Sequence, residues 1–79
     1  LQRLKSLDLS GNDLTGLRAE LGQLKNLEIL DVSDNRLTGL PLELGNLTQL
    51  RILDLSGNSY SKQDLDQIAA KLTKTDIRR

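Results

Sequence analysis

Three aspartates, Asp8, Asp31 and Asp54, stand 23 residues apart. Each is followed two places on by a serine (Ser10, Ser33, Ser56) and four places on by an asparagine (Asn12, Asn35, Asn58). Aligned carboxylates offer an acidic strip for a basic partner or a weak cation site, or they are solvated or paired to neighbours. Asp beside Ser suggests a nucleophile, but the chain has no His or Cys and no Lys base within reach of these serines, so no activated hydroxyl results. The aspartates lack the spacing and glycine turn of an EF-hand, and the Gly-Asn and Thr-Gly pairs do not make a phosphate-binding loop. Catalytic residues and cofactors are therefore not expected, nor is a metal site. Asn46-Leu47-Thr48 has the form of a glycosylation sequon, a pattern frequent by chance and uninformative about secretion.

The elements that carry these residues follow from an internal repeat. From Leu4 the chain falls into blocks at 4–26, 27–49 and 50–72, with a partial repeat at 1–3 and an altered end at 59–79, all in one domain of 79 residues. Leu4, Leu27 and Leu50 are in register, as are Leu7, Leu30 and Leu53, and then Leu9, Val32 and Leu55. Leu1 aligns with Leu24 and Leu47. The first two full blocks share 13 of 23 positions, which neither suggests nor excludes an engineered repeat. Leu7 and Leu9 alternate with Asp8 and Ser10, the period of a short strand with its apolar side inward. Equivalent strands of successive blocks lie side by side and parallel, joined by a crossover in the second half of each block. There Leu37, Leu40, Leu44 and Leu47 recur every three or four residues, which suits a helical or 3-10 turn over the same core. Pro41 fits a first helical position, and Gly16, Gly22, Gly39 and Gly45 punctuate the return. Asn12, Asn35 and Asn58 follow the strands, where the backbone bends and leaves polar groups for an amide side chain to satisfy.

Each block carries L-x-x-L-x-L-x-x-N-x-L followed by L-x-x-x-L-x-x-L, and the middle block adds Leu40-Pro41 before Leu44 and Leu47. This resembles the leucine-rich repeat family, in its 23-residue class LxxLxLxxNxLxxLPxxLxxLxx, closely over residues 1–58 and as a variant end beyond. The resemblance implies an α/β leucine-rich repeat solenoid, a right-handed superhelix. A short parallel sheet would line its concave face, with turns, 3-10 or short helices on its convex face. It implies that Asn12, Asn35 and Asn58 form a structural ladder rather than touch a ligand. It also implies that partners dock on the outward strand positions. Those are Lys5, Ser6, Asp8, Ser10 and Gly11; Glu28, Ile29, Asp31, Ser33 and Asp34; and Arg51, Ile52, Asp54, Ser56 and Gly57. Two cations against five carboxylates give that strip a net charge of −3, while the last nine residues hold four cations against one carboxylate. Ile29 and Ile52 make either a small apolar contact patch or a plain use of β-branched residues on strands.

The pattern changes after Asn58. Tyr60 stands where the earlier blocks have Leu14 and Leu37. Ser61 and Asp64 approach a capping box, and Leu65, Ile68, Ala69 and Leu72 predict an amphipathic helix of about three turns. Ile77 between Asp76 and Arg78 predicts a last short strand with Ile77 inward and charged flanks that discourage edge pairing. No such polar cap precedes Leu4, so further repeats ahead of it, or self-association through that edge, are expected. The chain does not begin with Met, as expected of an excised or processed segment.

Composition agrees. The formal net charge is zero with one aromatic residue, so a nucleic-acid backbone is not the expected partner. No apolar run reaches membrane-spanning length, so membrane insertion is not expected. Absence of Cys fits any compartment and leans to a reducing, cytoplasmic one. The expected function is a protein-interaction module, not an enzyme, which presents its concave strands to a protein or peptide. The alternatives are a regulatory or scaffolding fragment of a larger multidomain signalling enzyme, or a repeat fragment with no ligand of its own.

Overall fold

The computed structural model describes residues 3–79. Leu1, aligned by sequence with Leu24 and Leu47, lies outside the described residues. Four three-residue strands, β1 (Ser6–Asp8), β2 (Ile29–Asp31), β3 (Ile52–Asp54) and β4 (Asp76–Arg78), form one parallel sheet in the order β1-β2-β3-β4. The crossovers contain 3-10 helices at Ala19–Gln23 and Leu42–Asn46, then α1 (Lys62–Ala69). Leu7, Leu30, Leu53 and Ile77 pair in one row across the sheet and point into the core. This is a leucine-rich repeat solenoid with a parallel sheet on one face and short helices on the other. No helix among the described residues is long and apolar enough to cross a membrane.

Burial grades along the stack. Leu27, Leu30, Val32, Leu37, Leu40, Leu44 and Leu47 are at most 6 % exposed. Their counterparts one repeat earlier, Leu4, Leu7, Leu9, Leu14, Leu17, Leu21 and Leu24, are only partly buried. A middle repeat is covered on both sides, whereas the first has a neighbour on one side among the described residues.

Three local expectations change. Pro41 is the N-cap of its 3-10 helix, extended at φ −70° and ψ 133°, rather than its first helical residue. Its carbonyl accepts the first helical bond, from Leu44 N at 3.1 Å. α1 has eight residues, about two turns rather than three. Leu72 is buried all the same, because the turn after α1 keeps its amide on Ile68 O and Ala69 O, each at 3.2 Å, before the chain swings into β4. Gly22 and Gly45 lie inside the 3-10 helices rather than at turns.

The glycines serve close packing. A Cβ on Gly22 would sit 2.6 Å from the Glu43 carbonyl oxygen, in the backbone of the next repeat's helix. At Gly45 the nearest atom would be Lys71 Cδ, 2.8 Å away on a flexible side chain. Gly22→Ala is therefore expected to destabilise by about 1–3 kcal/mol through forced repeat separation, and Gly45→Ala by distinctly less. Paired urea melts check the ranking; equal losses would show that the two helices do not meet as described.

Candidate functional site

The strands are short, so their outward side chains form a narrow face. Ser6, Ile29, Ile52 and Asp76 align in one column, and Asp8, Asp31, Asp54 and Arg78 in the next. Ile29 is 37 % exposed and Ile52 half-buried. Adjacent strands lie about 4.8 Å apart, so the three carboxylates stand in line.

Each carboxylate is held by the serine two residues on. Asp8 Oδ1 accepts from Ser10 N (2.9 Å) and Ser10 Oγ (2.6 Å). Asp31 Oδ1 accepts from Ser33 N (3.0 Å) and Oγ (2.7 Å), and Asp54 Oδ1 from Ser56 N (3.1 Å) and Oγ (2.7 Å). The hydroxyls of Ser10, Ser33 and Ser56 therefore donate inward to the Asp column. Ser33, expected to face outward, is buried. The Ser10 hydroxyl, and then its amide, hold the Asp8 carboxyl below its ordinary value of 3.8, with burial opposing weakly. Such a group favours folding above the ordinary carboxylate range, and that contribution fades as pH falls through the lowered value. In an NMR titration Asp8 is expected to titrate below 3.8, and Ser10→Ala to raise its midpoint; an unmoved midpoint would remove the serine as the cause.

Lys5, Glu28 and Arg51 lie just ahead of the strands, and their carbonyls hold the next repeat. Lys5 O accepts from Glu28 N (2.7 Å) and Ile29 N (3.0 Å), and Glu28 O from Arg51 N (2.7 Å) and Ile52 N (3.2 Å). The side chains of Lys5 and Arg51 are exposed and that of Glu28 half-buried. Gly11 (φ 69°), Asp34 (φ 55°) and Gly57 (φ 72°) occupy the left-handed region after each strand. A Cβ on Gly57 would overlap Asp34 Oδ1 and crowd the Asp34 backbone at 3.1 Å, so this column is set by turn geometry as well as by any outward role.

The asparagines are tied into the backbone. Asn35 Nδ2 donates to Leu9 O (3.0 Å), Val32 O (2.9 Å) and Ser33 O (3.2 Å). Its Oδ1 accepts from Asn12 N (3.0 Å) and Leu14 N (3.1 Å). Asn58 repeats the pattern, with Nδ2 on Val32 O, Leu55 O and Ser56 O and Oδ1 accepting from Leu37 N. Asn35 and Asn58 thus each stitch their own turn to the repeat before it, while Asn12 Nδ2 donates to Leu9 O and Ser10 O of its own turn.

Two features were not placed from the sequence: the register of the expected last strand against β3, and a contact made by Asp64 in α1, off this face. β4 adds Asp76 and Arg78 to the strand face, and Arg78 closes the acidic column beside Asp54. The step from Ile52 to Asp76 is 24 residues, so the 23-residue spacing could not place them. Arg78 Nε lies 3.6 Å from Asp76 Oδ2, both well exposed, a pair worth little to stability. With β4 included, three cations (Lys5, Arg51, Arg78) stand against six carboxylates (Asp8, Glu28, Asp31, Asp34, Asp54, Asp76), still a net −3. The second is Asp64, whose backbone amide donates to the capping Ser61 Oγ (3.5 Å). Its Oδ2 accepts from Leu40 N (3.2 Å) in the previous repeat instead of closing a capping box. On the helical side, Leu42 is 46 % exposed where the first repeat has Ala19. Among the described residues no three acidic side chains converge as a metal site requires, so the Asp column is a line rather than a cage.

Comparison with known proteins places this geometry. A family model described as leucine rich repeat matches residues 2–59, and a second described in the same words matches residues 49–70. No curated protein matches the chain. A solved leucine-rich repeat protein of Leptospira interrogans is similar at 38 % identity and a TM-score of 0.90, over 99 % of this chain and 20 % of that one. This chain thus spans about one fifth of that protein's length. With the repeat matched across most of its residues and its strands, ladder and crossovers in register, the chain belongs to the leucine-rich repeat family.

Proposed function

We propose that the chain is a protein-interaction module whose strand face, from Lys5 to Asp54 and on to Arg78, receives a protein or peptide. The observation that carries this is the pairing of an exposed Ile29 and a half-buried Ile52 with the serine-held carboxylates of Asp8, Asp31 and Asp54. These side chains stand on a rigid parallel sheet, so little conformational freedom is lost on binding. Family membership supports the same reading, since leucine-rich repeats are typically protein-binding modules. The chemistry favours a basic segment with an apolar side chain: cations for the Asp column, an apolar group for the isoleucines.

The test uses a Lys- and Arg-rich peptide carrying one Leu, against its Glu-substituted counterpart. The double variant Asp31→Asn, Ile52→Ser is expected to weaken binding of the basic peptide about tenfold or more. Leu42→Ser with Glu43→Gln, on the helical side, is expected to leave it unchanged. The reverse pattern in calorimetry would falsify the assignment of the face.

A further inference from the structure

We propose that the strand face is built for an α-helical partner that crosses the strands, with a basic residue once per turn and an acidic residue one turn further on. This rests on the strand-face reading above and adds the partner's conformation and charge order. Asp8, Asp31 and Asp54 stand in register in one column. Strands lie about 4.8 Å apart, so the outer two positions are separated by about 9.6 Å. A helix carries three side chains on one face at i, i+4 and i+7, a rise of about 10.5 Å. Its misfit to the column is about 1 Å. An extended strand needs about 13.4 Å for three side chains on one face, an excess of nearly one strand spacing. A polyproline helix brings a side chain back only after about 9.3 Å, so it passes over Asp31.

The carboxylates are set for such a row. In all three, the serine bonds fall on Oδ1, and Oδ2 carries no hydrogen bond among the described residues. Each carboxylate is held in one orientation, so little freedom is lost when a cation pairs with it. One exposed ion pair is worth little. Affinity then depends on satisfying several at once, and spacing becomes the selecting feature. β4 supplies the charge order. Arg78 stands beside Asp54 in the sheet register, so four strands present three carboxylates and then a guanidinium. The complementary helix surface is base, base, base, acid at successive turns. Ile29 and Ile52 pair in the neighbouring column. That column lies about 6.8 Å away along the strands, within the roughly 10 Å width of a helix with its side chains. The same helix therefore carries an apolar row beside its basic row.

The experiment uses the full chain and two synthetic peptides of one composition, with three Lys, two Leu and one Glu in an Ala background. The first has Lys at i, i+4 and i+7, Glu at i+11, and a Leu beside the second and third Lys. The second is a permutation with the Lys and Glu at alternate positions, the spacing of a strand. The first is expected to bind about tenfold or more tighter by calorimetry, to gain helical circular dichroism on binding, and to shift the amides of Asp8, Asp31 and Asp54 together. Equal or tighter binding of the second on the same strands overturns the helical partner and leaves the strand-face reading standing. Binding of the first without a gain of helix does the same. A strand footprint from neither peptide removes the strand-face reading, and this inference with it. Arg78→Glu is expected to weaken the first peptide about threefold, and Lys in place of that peptide's Glu to restore it. Equal affinity of the parent and Arg78→Glu chains for both of these peptides overturns the charge order.

Discussion

Leu30→Ala is expected to lower the unfolding free energy by about 2–5 kcal/mol. Leu30 is fully buried, on the middle strand of the inward row between Leu7 and Leu53. Truncation there leaves a cavity that both neighbours line, and a close-packed interior relaxes only partly around it. A chain of 79 residues with no disulfide has a small reserve, about 3–5 kcal/mol for a core of this size. The loss is therefore comparable to the whole reserve, and a marked unfolded fraction of the Leu30→Ala protein is expected at 25 °C, as read by circular dichroism. Leu7→Ala, in the same row but half-buried at the open edge, is expected to lose clearly less. A Leu30→Ala melt matching the parent would remove the core as described.

Asn35→Ala is the second large effect, expected at about 3 kcal/mol because each buried backbone group left unpaired costs about 1–3 kcal/mol and some regain water. The side chain serves three carbonyls and two amides, and the residue is only 8 % exposed. Its loss unpairs groups in two repeats at once. Asn35→Asp separates the halves: it keeps the acceptor for Asn12 N and Leu14 N but loses the donors to Leu9, Val32 and Ser33. Asn12→Ala, with its side chain exposed and only two carbonyls to lose, is the control and is expected to destabilise by about 1 kcal/mol. Equal losses at the two positions, measured by urea denaturation, would contradict a ladder that joins repeats.

Much of this architecture is legible in the sequence because a repeat states each instruction more than once. Leu7, Leu30 and Leu53 share one position, and the structure pairs them in one row. The alternation around Ile77 points to β4, and Ser61 to the start of α1. Contacts between repeats are less legible, because they depend on distances that periodicity does not encode. Gly22 reads as punctuation until the Glu43 carbonyl is seen against it. Asp64 reads as half of a capping box until the Leu40 amide competes for its carboxylate. Arg78 joins the acidic column only because the last crossover is one residue longer than the others. On the strand face, the alignment of Asp8, Asp31 and Asp54 follows from the 23-residue spacing. The serines that hold them sit in the LDLS and LDVS segments, but their hydroxyls turn toward the carboxylates only once the strand ends and the backbone bends back.

The most direct test of the strand face is an amide chemical-shift map of the chain titrated with the basic, Leu-bearing peptide. The expected result is a continuous footprint over Ser6–Asp8, Ile29–Asp31 and Ile52–Asp54, weakening as salt is raised. A footprint confined to the 3-10 helices at Ala19–Gln23 and Leu42–Asn46 would contradict it.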